Sequence, residues 1–84
     1  MKLVSNLIIS YLKNNNVNLH GQILQTVEDD CVCISCFYLQ YDITVLVYND
    51  NFIKLKINHL PYTICDSIKT FRTEIDRLNN LRYY

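Results

Sequence analysis

The stretch CVCISCFYLQY, residues 31–41, decides the fold. It reads as a β-strand in which Val32, Ile34, Cys36 and Tyr38 share one side and Cys31, Cys33, Ser35, Phe37 and Leu39 the other. Both sets are largely apolar, whereas a strand in a two-layer protein ordinarily turns a polar face to water. Two apolar faces call for two covers, and the flanking sequence supplies one of them.

Upstream, residues 22–28 form a strand carrying Ile23 and Val27 on one face, and Asp29-Asp30 suits a two-residue turn. That turn sets Val27 opposite Val32 and Ile23 opposite Cys36, so the even-numbered residues of 32–38 point inward. Downstream, the strands ITVLVY (43–48) and FIKLKIN (52–58) flank Asn49-Asp50-Asn51. A three-residue loop with Asn51 left-handed places Val47 opposite Ile53, Val45 opposite Leu55 and Ile43 opposite Ile57. A two-residue loop would set Val47 against Lys54, so the hydrophobic pattern selects the odd loop.

The cover for the inner face comes from both ends of the chain. Leu3, Val4, Leu7, Ile8, Tyr11 and Leu12 recur at helical spacing over 2–13, and the asparagines after Lys13 suit a helix end. Pro61 ends the sheet, and Thr63-x-x-Asp66 is close to a capping box. Ile64, Ile68, Phe71, Ile75 and Leu78 then mark one stripe of a long second helix. The expectation is a single α+β domain over 1–84, built in two layers: helix, four-stranded antiparallel meander, long helix, with both helices on one sheet face. This order resembles part of the secretion-chaperone-like folds. No motif of that group is present, and nothing about function is taken from it.

Composition narrows the function classes. Eighty-four residues lie near the lower limit for a self-sufficient core, and 50% apolar with 19% charged residues is a globular balance. A net charge of zero removes the long-range attraction expected of a typical nucleic-acid binder. Alanine is absent while asparagine and isoleucine appear ten times each, which points to an AT-rich genome and suggests a phage or mobile element as the source. The opening MKLVSNLIISYL has a signal-like lysine and apolar run, but Asn6 interrupts it and no small-residue cleavage site follows. No segment is long enough to span a bilayer. The expectation is a cytoplasmic protein without a membrane partner.

The second face is expected to collect Leu24, Cys33, Phe37, Leu39, Leu46, Tyr48 and Phe52. Each aromatic ring buries about 150–250 Å², so such a patch exceeds the few hundred Å² usual on a monomer. Another chain is therefore expected to cover Phe37, Leu39, Leu46, Tyr48 and Phe52, as a dimer mate or a foreign partner. Lys54 and Lys56 lie among these aromatics, an arrangement that can stack bases and hold phosphates, or simply solvate an edge strand. From residue 14 to 53 there are five acidic residues and no lysine or arginine. In a meander, Glu28, Asp29, Asp30 and Asp50 gather at one tip, where they can enter a basic groove in place of phosphates. Arg77 and Arg82 on the second helix are the residues expected to neutralise that tip.

The four cysteines do not form a metal or redox motif. On a strand, Cys36 points away from Cys31 and Cys33, and paired CxxC loops are absent. Free thiols, no zinc and no other cofactor are expected. His20, His59 and Cys65-Asp66, with Cys65 in the first turn of the second helix, are the conceivable catalytic groups, and no base or oxyanion site can be assigned around them. The reading is a non-enzymatic protein-binding module without a small-molecule substrate. By analogy of size and style with anti-CRISPR proteins, the expectation is an inhibitor of a host nucleic-acid-binding defence complex. The alternatives are a small nucleic-acid-binding protein using Lys54 and Lys56, or an oligomeric structural protein.

Overall fold

Over residues 43–57 a one-residue slip would bury Lys54 and Lys56 and expose Ile53 and Leu55, so only one register is physically acceptable. The computed structural model, which describes residues 2–14, 18–49 and 51–81, has that register. The elements are α1 (Lys2–Asn14), β1 (Leu19–Val27), β2 (Val32–Tyr38), β3 (Tyr41–Asn49), β4 (Phe52–Ile57), β5 (Thr63–Cys65) and α2 (Ile68–Leu81). The strands form one antiparallel sheet in the order β1-β2-β3-β4-β5. Ile43 faces Ile57, Val45 faces Leu55 and Val47 faces Ile53, with an irregularity between Val47 and Asn49. Asp50 lies outside the described residues, and the expected left-handed Asn51 turns on it. Asn51 N–H donates to Asn49 Oδ1 at 2.8 Å, a local side-chain turn.

Val27 pairs with Val32 as the turn predicts. The expected Ile23–Cys36 pair is absent, because the ladder shifts between His20 and Leu24. Gly21, at φ +78°, sits in this bulge, in a conformation that glycine adopts at little cost. Beyond the bulge β1 continues to Leu19, so the strand is longer than the sequence pattern shows.

Both helices pack on one face of the sheet, giving the two-layer α+β arrangement. Val4, Ile8 and Leu12 of α1 and Phe71, Ile75 and Leu78 of α2 close over Ile34, Tyr38, Ile43, Val45, Val47, Ile53 and Leu55. Tyr11 joins the helices: its ring meets Phe71 edge-on at 6.2 Å, and its hydroxyl donates to Asp76 Oδ1 at 2.6 Å. Tyr38, wholly buried, carries its hydroxyl to Asn79 Oδ1 at 3.3 Å, and so ties the far end of β2 to the end of α2.

Two expectations about the elements are corrected. Thr63-x-x-Asp66 is not a helix cap. Residues 63–65 instead form β5, with Thr63 opposite Leu55, Ile64 opposite Lys54 and Cys65 opposite Ile53. Ile64 is thereby removed from the helical stripe and is exposed. The cap is Ser67, whose Oγ accepts from Thr70 N–H at 3.3 Å, while Asp66 accepts from the Thr70 hydroxyl at 2.7 Å. The extra strand also reverses the direction of α2. β5 carries the chain back to the end where the β1–β2 turn lies, so α2 starts at that tip and runs away from it towards Tyr38. Arg77 accordingly lies away from the tip and pairs with Glu74 at 3.4 Å, and Arg82 lies outside the described residues.

Leu39 is the second correction. It does not continue β2 onto the outer face but begins the turn to β3, with Tyr38 paired to Tyr41. At φ +58° its backbone is left-handed, costly for leucine, and the turned side chain is buried in the core. Its N–H donates to the carbonyl of Asn18, which anchors the strained turn.

Candidate functional site

The sheet register lays the outer face out in rows. Leu24, Ser35, Thr44 and Lys56 form one row across β1 to β4, and Thr26, Cys33, Leu46, Lys54 and Ile64 the next across all five strands. No layer among the described residues covers them. Leu24 is 63% exposed, Phe37 58% and Ile64 65%, and Phe52 and Tyr62 are exposed at the edges. Leu46 and Tyr48 are half-buried by their sheet neighbours alone. Phe37, Leu46, Tyr48 and Phe52 thus share the outer face, whereas Leu39 does not. Tyr62 and Ile64 belong to this face and were missed, because residues 61–66 read as a break and a helix start. No periodicity signals them, since β5 is three residues long and only Cys65 in it is buried.

At the tip, Glu28 N–H closes the β1–β2 turn on the Cys31 carbonyl at 2.8 Å, and Glu28, Asp29 and Asp30 are all exposed. Tyr48 stands near Glu28 and Asp30, and its ring centroid lies 5.1 Å from that of Phe52. The tyrosine registers this neighbourhood. Burial raises its pKa most, and Cys31, Asp30, Tyr62 and Glu28 add to the effect. The Cys31 thiol is raised in the same way, first by burial and then by Asp30 and Glu28. Carboxylates and aromatic rings therefore form one corner of the outer face. Asp50, the remaining acidic residue expected there, lies outside the described residues.

Lys54 and Lys56 are on the outer face as expected, but their ammonium groups are engaged. Lys54 Nζ lies 5.4 Å from the Tyr48 ring centroid and 5.6 Å from that of Phe52, and Lys56 Nζ lies 5.6 Å from that of Tyr62. Cation–π contact of this kind takes up ring faces on which bases would stack. The opposite corner is a shallow groove of about 580 Å³ at the β1 bulge, lined by His20, Leu24, Ser35, Phe37, Asp42 and Thr44.

The groups considered for chemistry are dispersed. All four cysteines are free thiols, with Cys33 on the outer face opposite Leu46 and Cys36 on the inner face opposite Ile43. Among the described residues no three His, Cys, Asp or Glu side chains gather into a metal site. Cys65 is not in the first turn of α2, where a helix dipole would acidify it. It is buried in β5, and burial, followed by Glu74 and Asp66, pushes its thiol up to about 11. Burial and then Asp42 raise Cys36 to about 11 as well. Neither is a thiolate at neutral pH. His20 and His59 are exposed and stand apart, His20 in β1 and His59 in the turn after β4. Among the described residues no helix is long and apolar enough to cross a membrane.

No protein-family model, curated protein or solved structure matches the chain.

Proposed function

We propose that the protein is a non-enzymatic, cytoplasmic protein-binding module that inhibits a host nucleic-acid-binding defence complex, in the manner of the small anti-CRISPR proteins encoded by phages. The observation that carries this reading is the exposed turn Glu28–Asp29–Asp30, whose Glu28 and Asp30 lie near Tyr48, itself packed on Phe52. Carboxylates projecting from a turn mimic the spacing-tolerant charge of phosphates and steer the module into a basic groove. The adjoining apolar rows then supply the desolvated contact that charge alone does not give. The displaced position of Arg77 favours the same reading, since the described part of α2 leaves the acidic turn without that cation.

The test is capture of the partner from host lysate by immobilised protein, followed by the salt dependence of the purified complex. The wild type is expected to bind a nucleic-acid-binding complex more weakly as salt rises. Changing Asp29, Asp30 and Asp50 to asparagine is expected to weaken that binding and flatten its salt dependence. A triple variant that binds and inhibits like the wild type would remove the acidic corner as the docking site.

A further inference from the structure

Of the two edges of the sheet, β5 is three residues long, while β1 spans nine. Natural edge strands are commonly blunted by lysine, proline or an inward charge. β1, LHGQILQTV, has none of these and relies on its bulge, which leaves 24–27 in regular register with β2. The closing bond from Glu28 N–H to Cys31 O fixes which backbone groups are free. In an antiparallel ladder, inward-bonding and outward-facing residues alternate. Thr26 and Leu24 therefore bond to β2, and Gln25 and Val27 turn their N–H and C=O groups to the open edge.

We infer that this edge pairs antiparallel with β1 of a second copy, about a two-fold axis at Gln25, to give a continuous ten-stranded sheet. This register sets Gln25 opposite its symmetry mate and Ile23 opposite Val27 twice, so that outward-facing groups meet outward-facing groups. Val27 points to the helix side of the sheet yet is 75% exposed. In the pair it is covered by Ile23 of the other copy. Ile23 itself lines a groove of about 420 Å³ between α1 and the β1 edge, together with Ile9, Lys13, Leu19 and Gln25. The same register carries the acidic turn of each copy past the Gly21 bulge of the other. The acidic turns lie at opposite ends of the shared strand pair and do not face one another. A second copy thus supplies matched backbone and matched apolar pairs at one register. The outer face stays open on both copies, so the pairing does not depend on the proposed target.

Sedimentation equilibrium from low micromolar to millimolar chain concentration tests this, alongside hydrogen exchange of the Gln25 and Val27 amides. The chain of 10.0 kDa is expected to reach twice that mass, with both amides gaining protection as it does. Val27→Lys, at a site exposed in the single chain, and Gln25→Pro, which removes only an outward N–H, are each expected to weaken association at least about tenfold. Circular dichroism is expected to show the fold retained in both variants. Phe37→Ser, on the outer face, is expected to leave association unchanged. A chain that stays single throughout overturns the inference. So does a dimer whose Gln25 and Val27 amides gain no protection, or one lost with Phe37→Ser and kept with Val27→Lys.

Discussion

The two faces of the sheet are built from the same strands, with alternate residues of each, yet they meet different surroundings. The inner face carries Ile34, Ile43, Val45, Val47, Ile53 and Leu55 and is sealed by α1 and α2. The outer face carries Leu24, Phe37, Leu46, Phe52 and Ile64 among threonines and lysines, and no described layer meets it. Apolar residues alone do not create a core. A face becomes one where amphipathic elements have a matching stripe to set on it, and the described residues hold two such helices, both on one side.

The contrast predicts unequal responses to truncation. Phe71→Ala removes a wholly buried ring that touches α1 through Tyr11, and is expected to cost about 3–5 kcal/mol in chemical denaturation. In a chain of this size that is enough to unfold a large fraction of molecules. Phe37→Ala, the same chemical change on the other face, is expected to move stability by less than about 0.5 kcal/mol.

A second difference lies in pH. Burial holds the thiols of Cys36 and Cys65 at about 11, while an unfolded chain's cysteines titrate near 8.5. The folded state therefore keeps protons that the unfolded state gives up. Stability is whole below about pH 8.5 and declines as pH rises towards about 11, by roughly 1–3 kcal/mol per thiol. Denaturation midpoints measured across that window check this, and Cys36→Val with Cys65→Val is expected to flatten the decline. Cys33, half-buried on the outer face, is expected to react with a maleimide before Cys36 or Cys65.

The start of α2 gives a smaller effect with a clear sign. Ser67→Ala is expected to cost about 1 kcal/mol, because Ser67 caps the helix, whereas Thr63→Ala, in the exposed β5, is expected to cost less. The reverse order would restore the sequence-based helix start. Smallest of all, Asp29→Asn with Asp30→Asn keeps turn-compatible residues and is expected to leave the melting temperature within error.

These contrasts also mark what the sequence made legible. The β3–β4 register was readable because a slip of one residue would bury two lysines, a penalty no packing gain offsets. The even residues of β2 were assigned inward correctly, Tyr38 included, because a short turn fixed them against β1. β5 was not readable. Three residues give too little periodicity, and Ile64 happens to lie four residues before Ile68, so a strand residue counterfeits one more turn of helix stripe. That single error propagated, because an even strand count sends α2 towards the acidic turn and an odd count sends it away. Leu39 was lost for another reason: alternation was carried beyond the end of β2, and a left-handed turn cancels alternation within one residue. The acidic corner was legible as composition, but its contact with Tyr48 required the β1–β2 and β3–β4 turns to be placed side by side.

The claim that one face is core and the other is a docking surface is tested most directly by a triple variant, Leu24→Ser, Phe37→Ser and Ile64→Ser, measured twice. All three positions are more than half exposed. The account predicts a melting temperature within a few degrees of the wild type, together with loss of binding to the partner captured from host lysate. A variant that melts far below the wild type, or that still binds the partner as tightly, would contradict it.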